Sequence, residues 1–82
     1  MGEPALSEKV NRLINVVRQR AVTEAQRAVE ARELAEQADD AHVRENLLHA
    51  VATHLRAVDL YEHSAARLAD ILQHMPEQET GH

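Results

Sequence analysis

With 82 residues and a formal charge of −5, the chain has room for one domain and a small core, since domains of this size rarely gain more than about 3–5 kcal/mol from burial. One tyrosine, no phenylalanine, no tryptophan and 14 alanines exclude a globule built on aromatic anchors and leave close helix packing along small-residue seams. The acidic balance weighs against nucleic acid as a partner, and the lack of cysteine excludes disulfides and thiolate metal sites, in keeping with a reducing compartment.

No apolar run approaches the roughly 18 residues of a membrane span, and none has the form of a signal-peptide core, so the chain reads as cytoplasmic. Pro4 and Pro76 bracket a stretch that holds neither glycine nor proline. Helix is predicted almost throughout it, because the two residues that most disfavour helix interiors are missing.

The first helix is expected over 7–38. Ser7 is placed to cap it, with Glu8 beside the positive end of the helix macrodipole. Apolar residues then recur at helical spacing, through Leu6, Val10, Leu13, Ile14, Val17, Ala21, Ala25, Ala28, Ala31, Ala35 and Ala38. Midway the stripe changes from bulky aliphatics to alanine. Thr23 and Gln26 form a capping-box pattern, common enough by chance that the helix is read as continuous through it. The cations Lys9, Arg12, Arg18, Arg20, Arg27 and Arg32 outnumber the acids around them, which keeps open a nucleic-acid-associated regulator that uses this helix.

Asp39 and Asp40 are the one interior break. Adjacent aspartates are poor helix formers and poor company for a helix C-terminus, yet good at the start of the next helix. A tight turn is expected at 39–40 and a second helix over 41–75, stopped by Pro76, with a disordered tail over 76–82. The seam of that helix alternates by four and three residues: Leu47, Val51, His54, Val58, Tyr61, Ala65, Leu68, Leu72 and Met75. Such spacing indicates coiled-coil-like packing.

Folding the chain back at the aspartates sets Ala28 opposite Val51, Ala25 opposite His54, Ala21 opposite Val58 and Ile14 opposite Ala65. Small residues fall against large ones, as interdigitating helices require. An all-α antiparallel hairpin is therefore preferred to a single rod of about 105 Å, although the turn lacks the glycine that commonly ends a helix. A second apolar set lies off the seam: Val16, Val22, Val29 and Leu34, then Leu48, Leu55 and Leu60. Two helices cannot cover all of these, and the economical solution is a homodimer of hairpins forming a four-helix bundle. These seven residues are the candidate interaction residues.

Six histidines are placed with some regularity. His42, His49 and His63, with Arg56 completing the series, recur every seven residues on the face away from the seam. Two turns separate successive members, about 10.5 Å of rise, too far for one metal ion with bonds near 2 Å. Glu45 precedes His49 by four residues, as Asp59 does His63 and Asp70 does His74, which reads as helix-supporting pairs. The other reading, a metal- or pH-responsive assembly completed by another subunit, would use the same pairs. Histidine as a type ionises near pH 6.5, so mild acidification could carry the chain from −5 toward neutrality.

His54 differs, because it sits on the seam within reach of Glu24. It is the candidate pH-sensing residue, or else a polar residue that fixes helix register. Tyr61 is expected to pack on the seam with its hydroxyl outward. Asp59, Tyr61, Glu62 and His63 cannot converge as an acid–base group, since neighbouring helical residues point in different directions.

A di-iron bundle would need Glu-x-x-His on its helices, and the one such run, Glu79 to His82, lies beyond Pro76. No phosphate-binding glycine loop and no credible triad is present. The chain is expected to be no enzyme, with no catalytic, cofactor-binding or metal residues and no cofactor.

The run Leu48-His49-Ala50-Val51-Ala52-Thr53-His54-Leu55-Arg56-Ala57-Val58, continued to Leu68, resembles the His-x-x-Ala-Ala-x-x-His-x-x-Ala-Ala-x-Leu-His-Glu repeats of small actinobacterial helical proteins, with valine at several of the alanine positions. That resemblance implies a cytoplasmic, stand-alone or regulatory helical module and transfers no catalytic residue. The expected function is a protein–protein interaction module, a self-associating hairpin acting as a small regulator or adaptor, with a partner protein helix as a further possible ligand.

Overall fold

A computed structural model describes residues 5–75, in which two α-helices, α1 (Leu6–Gln37) and α2 (Ala41–Gln73), pack against each other as an antiparallel hairpin. The tail expected over 76–82 lies outside the described residues. With principal extents of 63 × 24 × 12 Å, the molecule is far shorter than the rod of about 105 Å that one continuous helix would form.

The first helix begins one residue earlier than expected, and Ser7 is not its cap. Ala5 holds the N-cap position with extended backbone (φ −60°, ψ 155°), and the Glu8 carboxylate accepts from the Ala5 N–H at 3.3 Å. Glu8 thus satisfies the N–H of the cap residue itself, the glutamate half of a capping box, while Ala5 has no side-chain acceptor for the N–H groups of the first turn. At Thr23 α1 runs on unbroken, and the Thr23 hydroxyl donates back to the Gln19 carbonyl at 3.1 Å.

The turn manages without glycine because no described residue in it takes a positive φ. Ala38 leaves α1 in extended geometry (φ −73°, ψ 128°), a conformation open to any residue. Its N–H donates to the Ala35 carbonyl at 3.3 Å, and its carbonyl accepts from the Arg44 guanidinium at 2.8 Å. Asp40 then caps α2: Oδ1 accepts from the backbone N–H of His42 at 2.7 Å and of Val43 at 3.2 Å. Each of these bonds satisfies a group that a helix end leaves open.

At the far end α2 stops at Gln73, two residues short of the expected Met75. The His74 N–H is shared between the Asp70 and Ile71 carbonyls, and Met75 donates to Leu72 at 3.3 Å, so the last turn tightens ahead of Pro76.

The core is narrow and made mostly of alanine. Ile14, Ala21, Ala28, Ala31 and Ala35 of α1 and Val51 and Ala65 of α2 are buried, and Ala28, Ala31 and Val51 cluster with Ala50 beside them. Ala28 and Val51 were the pair expected from folding back at the aspartates. On α2 every seam residue from Leu47 to Met75 is buried or half-buried. On α1 the buried stripe is narrower than the spacing predicts: Leu6 (57 % exposed) and Leu13 (49 % exposed) face solvent. A single partner helix covers only the rows of side chains that face it. Leu6 and Leu13 stand in the next row out.

Candidate interaction surface

Of the nineteen Leu, Ile and Val residues, only Ile14 and Val51 are buried and eleven are exposed. All seven residues expected to form an interaction strip are among the exposed eleven, as are Leu6, Leu13, Val43 and Ile71, which the sequence reading did not assign to it.

The seven do not form one strip. Successive helical residues are rotated by about 100°, so residues just after the α1 core positions Ala21 and Ala28 lie on one flank of the hairpin, and residues just before Ile14 and Ala35 lie on the other. Val22 and Val29 join Leu48 and Leu55 of α2 on the first flank. Val16 and Leu34, with Leu60 of α2, fall on the second. That second flank also carries Leu6 and Leu13 of α1 and Val43 and Ile71 of α2.

The two flanks differ in electrostatic layout. On the first, Arg18 and Glu62 border a shallow groove floored by Ala21, Ala25, Val58, Ala65 and Ala66 and edged by Val22. Nearer the turn, Arg32, Glu36 and Arg44 surround Ala35 and Leu48. Its apolar centre is therefore bounded at both ends by charges of mixed sign. The second flank is interrupted in its middle by Arg20, Thr23, Glu24 and Arg27, gathered beside Tyr61. Here the Glu24 carboxylate accepts from the His54 ring N–H, Oε1 to Nδ1 at 2.5 Å, with both side chains mostly covered. Arg27 stands 4.0 Å from the other carboxylate oxygen of Glu24.

His54 is thus held by a specific partner on the edge of the seam, within reach of Glu24 as expected. The outer histidines behave differently. His63 lies 3.9 Å from Asp59 and His74 lies 3.6 Å from Asp70, all of them well exposed, while His49 and Glu45, the third expected pair, make no ion pair among the described residues. Exposed pairs of this kind contribute little to stability. Nowhere among the described residues do three His, Asp or Glu side chains gather as a metal ion would require.

The basic residues of α1 do not form a face. Arg18 and Arg32 point to the first flank, Arg20 and Arg27 to the second, and Arg12 away from the seam. A basic stripe that could follow a phosphate backbone needs its charges on one side. No polar or charged residue is buried among the described ones, and no described helix is long and apolar enough to cross a membrane. No protein-family model, curated protein or solved structure matches the chain, so its chemistry has to be read from these two flanks.

Proposed function

We propose that this hairpin is a protein–protein interaction module that associates with itself, two copies closing into a four-helix bundle, and that it acts as a small regulator or adaptor and not as an enzyme. One observation carries the reading: the intramolecular core is mainly alanine, while eleven large aliphatic side chains stay in water. Fully burying an exposed Val or Leu side chain contributes about 1.5–3 kcal/mol, and Val22, Val29, Leu48 and Leu55 are each about half exposed, so covering these four against a second copy contributes about 3–6 kcal/mol, on the order of what a whole domain of this size draws from its core. Hairpins that pack side by side near 20° bury such flanks without rearranging the turn.

Self-association through one flank leaves the other free. Its apolar ends, Leu6, Leu13 and Ile71 at one and Leu34 and Val43 at the other, favour a second role as a groove for an amphipathic helix of another protein.

Thermal unfolding followed by circular dichroism over roughly 1 to 100 µM protein tests the reading. A self-associating fold melts at higher temperature as concentration rises. A melting temperature independent of concentration over that range would contradict it.

A further inference from the structure

We infer that the surface joining two copies is the flank of Val22, Val29, Leu48 and Leu55, and that the copies lie parallel, turns at the same end, with α1 of each against α2 of the other. The inference rests on the self-association proposed above and adds the face and the orientation.

The choice of flank follows from where its charges stand. An interface that holds tightly has an apolar centre and a polar rim. On this flank Val22 and Leu55 lie at nearly one height and Val29 and Leu48 at another, because the Ala28–Val51 contact and the Glu24–His54 bond fix how the helices slide past each other. Ala25 and Ala52 lie between them and leave room for bulky side chains of a second copy. Charged residues stand only beyond the two ends of this patch. The opposite flank has the reverse layout. Its centre holds Arg20 and Arg27, and a second copy seated there would cover four guanidinium groups with only Glu24 and Glu30 of each copy nearby.

The orientation follows from the signs of the rim charges. Identical faces meet about a two-fold axis lying in the interface, and that axis can run along the hairpin or across it. If it runs along the hairpin, each residue meets the partner residue at its own height on the other helix. Arg18 and Glu62 border one groove and so share a height, and Glu36 and Arg44 border another. Arg18 then meets the partner's Glu62, Glu36 meets the partner's Arg44, and Arg32 comes near the partner's Glu45. Every rim contact joins opposite charges. In the apolar centre the partner's Leu55 settles over Val22 beside the alanine-floored groove, and the partner's Leu48 over Val29.

If the axis runs across the hairpin, α1 lies on α1 and α2 on α2. Arg18 and Arg32 are equally spaced about the centre of the apolar patch, so Arg18 meets the partner's Arg32. Glu45 and Asp59 are nearly equally spaced about it on α2 and share one helix face, so these acids meet as well. Like charges facing each other select against a partner orientation, and the crossed arrangement has them at both ends.

Two measurements on the full chain test this. Because the protein has no cysteine, Asp39→Cys takes a nitroxide label at the turn alone. Parallel copies put the two labels below about 30 Å apart, given helix spacings near 10 Å plus label arms, whereas crossed copies put them about 40 Å apart. Arg18→Glu and Glu62→Arg are each expected to weaken the dimer about tenfold, and an equimolar mixture of the two is expected to recover the parent affinity, since both rim contacts become Glu–Arg again. Any repulsion introduced within one chain is untouched by mixing, so recovery reports contact between copies even if a variant is less stable alone. A dimer with labels about 40 Å apart, an Arg18→Glu chain that dimerises as tightly as the parent, or no recovery on mixing would overturn the inference while leaving self-association standing. A chain that remains monomeric, with no distance between copies, would overturn the self-association reading itself.

Discussion

Glu24 and His54 tie the two helices together across the seam, with the carboxylate Oε1 2.5 Å from the ring Nδ1. They are the one side-chain hydrogen bond between the helices among the described residues. Apolar contacts between alanines are tolerant of sliding, whereas a hydrogen bond of this length is not. The bond therefore sets the register that brings Ala28 against Val51, acting as a polar residue does in a coiled-coil seam.

That role gives a first expectation. Glu24→Ala and His54→Ala are each expected to lower stability by about 1 kcal/mol, and a double-mutant cycle to return a coupling of about 0.5–1.5 kcal/mol. Urea unfolding of the four proteins measures it. Strictly additive losses would mean that the contact contributes nothing beyond its two halves.

The turn gives a second. Asp40 accepts from two backbone N–H groups at the start of α2, whereas the neighbouring Asp39 is exposed and caps nothing. Asp40→Ala is expected to cost about 1 kcal/mol and Asp39→Ala less than about 0.5 kcal/mol. Equal losses from the two aspartates in a denaturant titration would show that their charge, and not the cap, is what matters.

Close helix approach gives a third. Ala28 is 4 % exposed and lies in one buried cluster with Ala31 and Val51, so Ala28→Leu has no room and is expected to destabilise by about 1–3 kcal/mol. Gln26→Leu, on the exposed side of the same helix, is expected to change stability by less than about 0.5 kcal/mol. If the leucine at position 28 is accepted as readily as the one at 26, the helices are not in alanine contact.

The division of apolar residues between flanks gives a fourth. Leu55→Glu places a charge in the centre of the first flank and is expected to weaken self-association by tenfold or more, whereas Leu60→Glu, on the second flank, is expected to change it less than about threefold. Sedimentation at several concentrations reads both. Reversed effects would move the interface to the other side of the hairpin.

Much of this architecture was legible in the residues themselves. Proline at either end, paired aspartates midway and a four-three spacing from Leu47 to Met75 are each local signals with a local cause, and the structure follows them closely. What local signals did not convey was how wide the buried stripe is. Leu6 and Leu13 look like seam residues by spacing, but a single partner helix covers only the rows that face it, a fact that depends on that helix and not on α1. The start at Ala5 was hidden because alanine carries no capping side chain, and the contact that marks it, from the Ala5 N–H to Glu8, lies three residues into the chain. The division of the seven apolar residues between two flanks was present in the numbering all along: Val22 and Val29 follow core alanines, whereas Leu34 precedes one.

The central claim is that a second copy covers one of the two apolar flanks that a hairpin leaves exposed, and the mass of the purified protein at micromolar concentration tests it most directly. Multi-angle light scattering is expected to give about twice the 9.2 kDa of one chain, falling toward the single-chain mass on dilution. A species of 9.2 kDa that keeps its full helix content up to about 100 µM would contradict the account, because the flank of Val22, Val29, Leu48 and Leu55 would then be stably exposed with nothing to cover it.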